Sequence, residues 1–167
     1  MAKKEEKTLQ DLFEDGLKDV YFAEKKILQA LKKMAKAVES EEAVTAFENH
    51  HTETENQIER LEQVFELLEQ KPKGKKCPAI LGILEEGEEI MKEYKGSPAL
   101  DAGLIAAAQA VEHYEISRYG ALKAWAKELG MKAAVRLLDQ TLSEEVKTDK
   151  LLTTMAEGQA NQRAEAA

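Results

Sequence analysis

Residues 106–119 read AAAQAVEHYEISRY, and this stretch decides the fold of the chain. Its apolar residues, among them Val111 and Ile116, recur at helical spacing and mark one side of a helix. Glu112 and Glu115 stand on that same side, one turn apart. An ionised carboxylate is expensive to bury without a partner. The pair therefore marks either the rim of a core or a built site, and the rest of the chain must distinguish the two.

The composition is that of a helical protein with an acidic surface. Of 167 residues, 43% are hydrophobic, 34% are charged and only 3 are proline, which favours one all-α domain. The net charge of −8 argues against a nucleic-acid partner. We find no apolar run that could span a membrane and no signal peptide, so no membrane partner is expected. The single Cys77 cannot form an internal disulfide, and we expect a cytoplasmic, reduced protein.

Helical periodicity predicts four long amphipathic helices. Thr8 with Asp11 resembles a capping box, and Ser40 is a good residue to precede a helix. Ser97 and Pro98 suggest a cap followed by a proline in the first turn. The predicted helices span about residues 8–38, 40–69, 98–129 and 132–155.

The connection between the second and third long helices is the distinctive one. Residues 71–76 form a linker, and residues 79–94 are predicted to form a shorter helix with one apolar face. The other two connections are short, and short connections make antiparallel hairpins. The sequence predicts an all-α, ferritin-like four-helix bundle with a long crossover that carries an additional helix. We expect a single domain over residues 1–167, with flexible tails at 1–7 and 157–167.

Carboxylates recur near the middle of the inward faces of all four long helices. The candidate metal ligands are Glu24, Glu53, Glu112, Glu115, Glu145 and Asp149, with either His50 or His51 nearby. Several carboxylates in a dry site repel one another, and two divalent cations would remove that repulsion. Oxygen-rich sites with one or two imidazoles suit iron or manganese. Any one glutamate alone is more simply a solvated or ion-paired residue, so the prediction rests on their recurrence.

Four runs of the sequence resemble the YciF-like family of the ferritin-like superfamily. They are DLFEDGLKDVYFAEKKILQAL, AFENHHTETENQIERLEQVFELL, AAAQAVEHYEISRYGAL and LLDQTLSEEVKTDKLL. The resemblance covers about residues 8–152 and implies a ferritin-like bundle, usually a homodimer, in bacterial proteins linked to stress responses. The wider superfamily, its rubrerythrin-like members especially, implies a dinuclear iron site that reacts with oxygen or peroxide.

The resemblance carries over to the ligands only in part. The glutamates that match the ligands of the superfamily are Glu24, Glu53, Glu112, Glu115 and Glu145. The histidines expected three residues after Glu53 and Glu145 are absent, because Asn56 and Thr148 stand there. His50, one turn before Glu53, could replace one of them, and Asp149 the other.

Three functions follow from this reading. The first is a cytoplasmic stress protein with a di-metal site, iron or manganese, that oxidises Fe(II) or reduces peroxide. The second is a non-enzymatic dimer with a structural or partner-binding role, so the sequence leaves open whether the protein is an enzyme. The third is an iron-storage cage. Self-association is expected because the third long helix is apolar over a wide arc, although the crossover helix could cover part of it.

Overall fold

The structure is a computed structural model that describes residues 6–166. These residues form helices and connecting loops, and none of them lies in a strand. The helices are α1 (Leu9–Ala37), α2 (Glu41–Leu67), α3 (Pro78–Glu93), α4 (Leu100–Glu128), α5 (Lys132–Met155) and α6 (Asn161–Glu165). The all-α fold and the extra helix in the crossover are therefore confirmed.

The sequence signals at the helix ends are confirmed in two of three cases. Thr8 and Asp11 form a reciprocal capping box at the start of α1, and the Ser40 side chain accepts a hydrogen bond from the Ala43 amide at the start of α2. Ser97 and Pro98 instead form a turn before α4, whose N-cap is Ala99 without a side-chain cap. Ser97 Oγ accepts a hydrogen bond from the Ala99 amide at 3.2 Å, so this hydroxyl closes the turn rather than the helix.

Two antiparallel hairpins, α1–α2 and α4–α5, pack side by side with α1 against α4 and α2 against α5. Glu24 of α1 meets Tyr119 of α4, while Gly16 lies against Leu122, so these two helices run in opposite directions. The crossover follows α1 back to the far end of the bundle. At the start of this crossover, beside the first half of α1, the Lys75 amide donates to the Lys18 carbonyl at 3.0 Å, and α3 then packs on α1 further along. This is the up-down-down-up order of a ferritin-like bundle.

The crossover helix α3 packs on both α1 and α4. A Cβ atom at Gly103 of α4 would lie 2.8 Å from Ile90 Cγ2 of α3, which is closer than real side chains approach. Glycine at this position therefore permits the contact between the two helices. This contact covers part of the wide apolar arc of α4, as the sequence allowed.

Asp101, in the first turn of α4, ties the two hairpins together. Its carboxylate accepts hydrogen bonds from the Glu39 amide at 2.8 Å and the Ser40 amide at 2.9 Å, in the turn between α1 and α2. The side chain is buried, and both bonds cross between hairpins that are distant in sequence. No periodicity argument could have found this contact.

The buried apolar residues form two clusters at opposite ends of the bundle. The lower cluster, near the start of α1, includes Phe13, Leu17, Leu61, Phe65 and Leu138. The upper cluster, near the end of α1 and under α3, includes Ile27, Leu31, Phe47, Leu104 and Leu152. Buried polar residues lie between the two clusters, at the level of Glu24 on α1 and Glu115 on α4.

The C-terminal segment differs from its prediction. Residues expected to form a flexible tail from 157 onward continue α5 through a π-helical turn, Ala156–Ala160, into α6. Ala160 is buried in the upper cluster. Alanine has the highest intrinsic helix propensity, so this segment is helical without an apolar stripe. Of the other predicted tail, residues 1–5 lie outside the described residues, and residues 6–7 are exposed and not helical.

Candidate metal centre

Four buried side chains converge in the middle of the bundle. His50 of α2, Glu112 and Glu115 of α4, and Glu145 of α5 each offer a ligand atom, and these atoms lie within 4.8 Å of one another. None of the four side chains is more than 4% exposed. Amphipathic periodicity points each residue inward, and antiparallel packing brings the helix centres to one level.

Helix α1 adds Glu24 to this group. The side chain is fully buried, its Oε1 accepts a hydrogen bond from the Tyr119 hydroxyl, and it neighbours Glu115. The second oxygen, Oε2, has no hydrogen-bond partner. All four long helices therefore supply a side chain to one polar layer, which we call the central layer: Glu24, His50, Glu112, Glu115 and Glu145.

The central layer contains more buried acceptors than donors. Both oxygens of Glu115 and one oxygen each of Glu112 and Glu145 lack a hydrogen-bond partner. No lysine or arginine is buried among the described residues, and Arg118 is exposed and stacks on the Tyr114 ring instead. A structural ion pair between Glu115 and a buried cation is therefore absent from the described part of the chain. Buried groups in this state need protons or metal ions.

Burial and mutual repulsion shift the pKa values of these carboxyl groups upward. Burial, partly offset by the hydrogen bond from Tyr119, raises the pKa of Glu24 from 4.5 to about 7. Burial also raises the pKa of Glu115, with further contributions from the charges of Glu145 and Glu24. The pKa of Glu145 is raised by burial and then by Glu112. Without a metal, the folded protein therefore retains protons in this layer near neutral pH.

The structure distinguishes the two candidate histidines. His50 lies in the central layer, with Nε2 2.9 Å from Glu112 Oε1, whereas His51 is only half-buried and outside it. Burial tends to lower the pKa of His50, but the negative charge of Glu112 and contact with Glu53 outweigh burial and raise it. Neither ring nitrogen has a partner with hydrogen-bond geometry, so both remain open to a ligand.

Glu53 lies at the rim of the central layer rather than inside it. Its side chain is 39% exposed, and its Oε2 is 3.7 Å from His50 Nδ1 and 3.4 Å from Thr148 Oγ1. The neighbouring His50 ring lowers the pKa of Glu53, so this carboxylate is charged at neutral pH. The structure does not group Glu53 with His50, Glu112, Glu115 and Glu145.

Asp149 is the one predicted ligand that the structure directs elsewhere. Its Oδ1 lies 3.2 Å from the Gln109 amide nitrogen and 3.2 Å from His113 Nε2, near the outer surface of α4 and α5. A residue four positions after Glu145 lies about 6 Å further along the helix and is rotated by about 40°. That offset moves Asp149 from the bundle centre to the seam between the two helices.

Two residues around the central layer hold its ligands in place. The Gln57 side-chain amide donates to Glu145, as the Tyr119 hydroxyl does to Glu24. Next to Glu145, Glu144 accepts a hydrogen bond from Arg60 at 2.6 Å, which links α2 to α5 beside the layer. Gln57 is four residues after Glu53, so a buried amide one turn from a candidate ligand was the available sequence signal.

The class of protein that fold and site define is a ferritin-like bundle with a central polar layer, to which α1, α4 and α5 contribute glutamates and α2 contributes His50. The family described as DUF892, a domain of unknown function, matches residues 8–165. Protein YciF of Escherichia coli (strain K12) is 45% identical over 160 residues, which cover 95% of this chain and 96% of YciF. The chain therefore belongs to the DUF892 family of YciF-like proteins, as the sequence resemblance predicted.

Solved structures agree with this assignment. The structure of the E. coli stress protein YciF matches with a TM-score of 0.88 at 44% identity, over 93% of this chain and 99% of that one. YcfI from Rhodopseudomonas palustris matches with a TM-score of 0.87 at 45% identity, over 92% and 98%. A protein from Xanthomonas campestris, 22% identical with a TM-score of 0.77 over 95% and 98%, shares the fold.

Within residues 6–166, no helix combines the length and the apolar character that crossing a membrane requires.

Proposed function

We propose that this protein is a ferritin-like stress protein that binds two metal ions in the central layer. Iron is the first candidate and manganese the second. The observation that carries the proposal is the burial of four glutamates and His50 with unpartnered ligand atoms and, within residues 6–166, no buried lysine or arginine beside them. Replacing such groups with apolar residues would be neutral or stabilising for the fold alone, so their retention favours a ligand.

The donor set fits a dinuclear carboxylate site. Glu24, His50, Glu112, Glu115 and Glu145 would hold the metals, and Glu53 would join them from the rim. Ferrous ions bound there would supply electrons for the reduction of oxygen or of peroxide and would themselves be oxidised to Fe(III). Asp149 has its own partners and is not in the proposed set.

The surrounding residues prepare the site for this chemistry. Tyr119 fixes one oxygen of Glu24, and Gln57 fixes one oxygen of Glu145, which leaves the opposite oxygen of each carboxylate available. The lower and upper apolar clusters exclude water from both ends. In the metal-free protein the pKa of Glu24 is about 7, so this carboxyl group can give up its proton to a binding metal ion at neutral pH.

A non-enzymatic role is the second candidate, and one observation favours it. The description of the Rhodopseudomonas relative proposes a structural role for that protein. A homodimer would suit either function, and the half-exposed Leu12 and Tyr94 are available to such contacts. We also propose a cytoplasmic location, since the buried Cys77 is a free thiol.

Metal analysis tests the metal site directly. After purification without chelator, followed by anaerobic Fe(II) titration, we expect two metal ions per chain. Glu115→Gln should lower the occupancy, whereas Glu55→Gln, the same change on the exposed face of α2, should not. Wild-type protein that binds fewer than one ion per chain would overturn the site.

Turnover and native mass separate the functions. Rapid oxidation of bound Fe(II) by oxygen or hydrogen peroxide would support the oxidoreductase, and stable metal binding without turnover would support the structural role. Sedimentation at micromolar concentration should give a dimer. A monomer would reject the dimer, and a mass of many subunits would point to iron storage.

A further inference from the structure

A cleft between α2 and α5 leads from the surface to the central layer. Its inner end is formed by His50 and Glu112, and its rim by Glu53, Lys147 and Thr148. We propose that this cleft binds a small apolar organic hydroperoxide, with its O–O bond at His50 and Glu112 and its hydrocarbon body against the outer walls. This inference rests on the proposed function and names the substrate class of the same site.

The size of the cleft argues against hydrogen peroxide as the molecule it is shaped to hold. The volume is about 220 Å³. One water molecule takes up about 30 Å³, and an apolar cavity of about 150 Å³ is large enough for a benzene ring. Hydrogen peroxide, two oxygen atoms in size, would leave most of the cleft to water. A hydroperoxide with one ring or a branched alkyl group would fill it.

The lining has the polarity that such a molecule requires. The hydrocarbon side chains around the cleft are those of Ala46, Phe47, Ala108, Leu151 and Leu152. The polar groups at its inner end are on His50, whose ring nitrogens are unpartnered and which is only 4% exposed, and on Glu112. Ligand sites combine mostly apolar walls with a few placed polar groups, and here the polar groups are those of the proposed metal site.

The outer end of the cleft is open, so a longer hydrocarbon group of the substrate could extend beyond it. A second depression shares Ala46, Asn49 and Leu151 with it and runs along α2 and α5 as far as Met155. Other surface cavities, such as the one beside Lys33 and Glu88, contain no residue of the central layer. The α2–α5 cleft, by contrast, reaches His50 and Glu112 of the central layer.

The reaction balances with the electrons that the proposed site would supply. The O–O bond of the hydroperoxide breaks and takes up two electrons, one from each of two ferrous ions, which become ferric. Two protons enter, and the products are the corresponding alcohol and one water. The alcohol keeps the hydrocarbon body of the substrate, so it serves as an unreactive probe of the cleft.

Binding of 2-phenyl-2-propanol, the alcohol formed from cumene hydroperoxide, tests the cleft without turnover. We expect saturable binding to both the chelator-treated and the Mn(II)-loaded protein, measured by NMR titration. Ala46→Phe fills the cleft, and we expect it to weaken binding at least about 10-fold, as the loss of a good pocket contact does. Ala124→Phe places the same side chain at an exposed position of α4 and should not change binding.

A second variant avoids any effect on folding. Leu151 is 48% exposed, so Leu151→Glu should fold normally while placing a charge in the cleft wall. Its binding of the alcohol should also weaken. Unchanged binding in both variants, or no saturable binding by wild type, would overturn the inference.

Turnover by the iron-loaded protein completes the test. We expect kcat/KM for cumene hydroperoxide to exceed that for hydrogen peroxide at least about 10-fold in wild type, and Ala46→Phe to lower the ratio of the two values. Equal values for both peroxides in wild type would overturn the inference and leave the metal site standing. Failure to bind iron would overturn the proposed function and with it the hydroperoxide reaction, whatever the alcohol titration shows.

Discussion

The lower cluster and the central layer are equally buried but opposite in their effect on stability. Phe13, Leu17 and Phe65 are fully buried, and so are Glu24 and Glu145. Along α1, Glu24 lies about two turns from Leu17 and about three turns from Phe13. Each apolar side chain contributes roughly 1.5–3 kcal/mol through its removal from water. A buried carboxylate without partners costs free energy instead. The comparison teaches that burial alone does not define a core, because the chemistry of the buried atoms decides whether the fold gains or loses.

The largest effect is expected in the lower cluster. Phe65 is fully buried and packs edge-on against Tyr21, with ring centroids 5.5 Å apart. Phe65→Ala should lower the free energy of unfolding by about 3–5 kcal/mol, because it leaves a cavity. Chemical denaturation should show the same loss with Fe(II) and with chelator. Leu67→Ala, at a 48% exposed position, is the control and should change the free energy of unfolding by only about 0.5 kcal/mol.

Metal binding in the central layer should raise the free energy of unfolding by nearly as much as Phe65→Ala lowers it. At a free Fe(II) or Mn(II) concentration of about 1,000 times Kd, binding to the folded state adds about 4 kcal/mol. For a chain of this size that corresponds to roughly 8–16 °C in Tm. Anaerobic calorimetry of the protein with metal and with chelator measures this difference in Tm. A Tm that is the same under both conditions would remove the contrast between the two regions.

The pH dependence of the metal-free protein sharpens the comparison. The pKa of Glu24 rises from 4.5 to about 7 on folding, so the folded state binds the proton more tightly. The resulting stabilisation, at most roughly 3 kcal/mol, is present below pH 4.5 and is lost as the pH rises through about 7. The raised pKa values of Glu115, Glu145 and His50 act in the same direction.

The free energy of unfolding in chelator should therefore fall between about pH 5 and pH 8, and Glu24→Gln should flatten the curve. In the metal-loaded protein the slope should reverse, since metal binding releases the protons. Urea denaturation across this range checks both slopes. A metal-free protein that gains stability toward pH 8 would show that the layer is ionised and paired in some other way.

The smallest expected effect, that of Glu115→Gln on stability, is the most specific one, because its sign differs between the metal-loaded and the metal-free protein. Glu115→Gln keeps the shape of the side chain but removes a charged ligand and some of the repulsion among carboxylates. With metal, the variant should lose about 1–3 kcal/mol. With chelator it should match or exceed wild type at pH 7. Four thermal melts give the comparison, and an equal loss in both states would reject Glu115 as a ligand.

The sequence predicted the fold because the fold depends on local patterns. Apolar periodicity placed the four long helices and the crossover helix, and the capping residues Thr8 and Ser40 placed two of their starts. The length of each connection then fixed the order of the helices. Glu24, Glu112, Glu115 and Glu145 lie at the centre of their inward stripes, so their shared burial could also be predicted.

Residues at the edge of a stripe could not be placed in this way. Neighbouring residues on a helix differ by about 100° in direction, so whether His50 or His51 faces inward depends on how α2 is rotated against its neighbours. Glu53 reaches only the rim, and Asp149 turns toward α4, because tertiary packing sets that rotation. Gln57 and Asp101 were outside the prediction because their partners are distant in the chain.

The bonds to Asp101 make two backbone amides a reporter of hairpin docking. The Glu39 and Ser40 amides lie in a surface turn, where exchange with deuterium would ordinarily be fast. Because they donate to a carboxylate on the other hairpin, they are protected only while α4 stays docked against the α1–α2 turn. Their exchange rates therefore report the separation of the two hairpins from each other, independently of the unfolding of either hairpin.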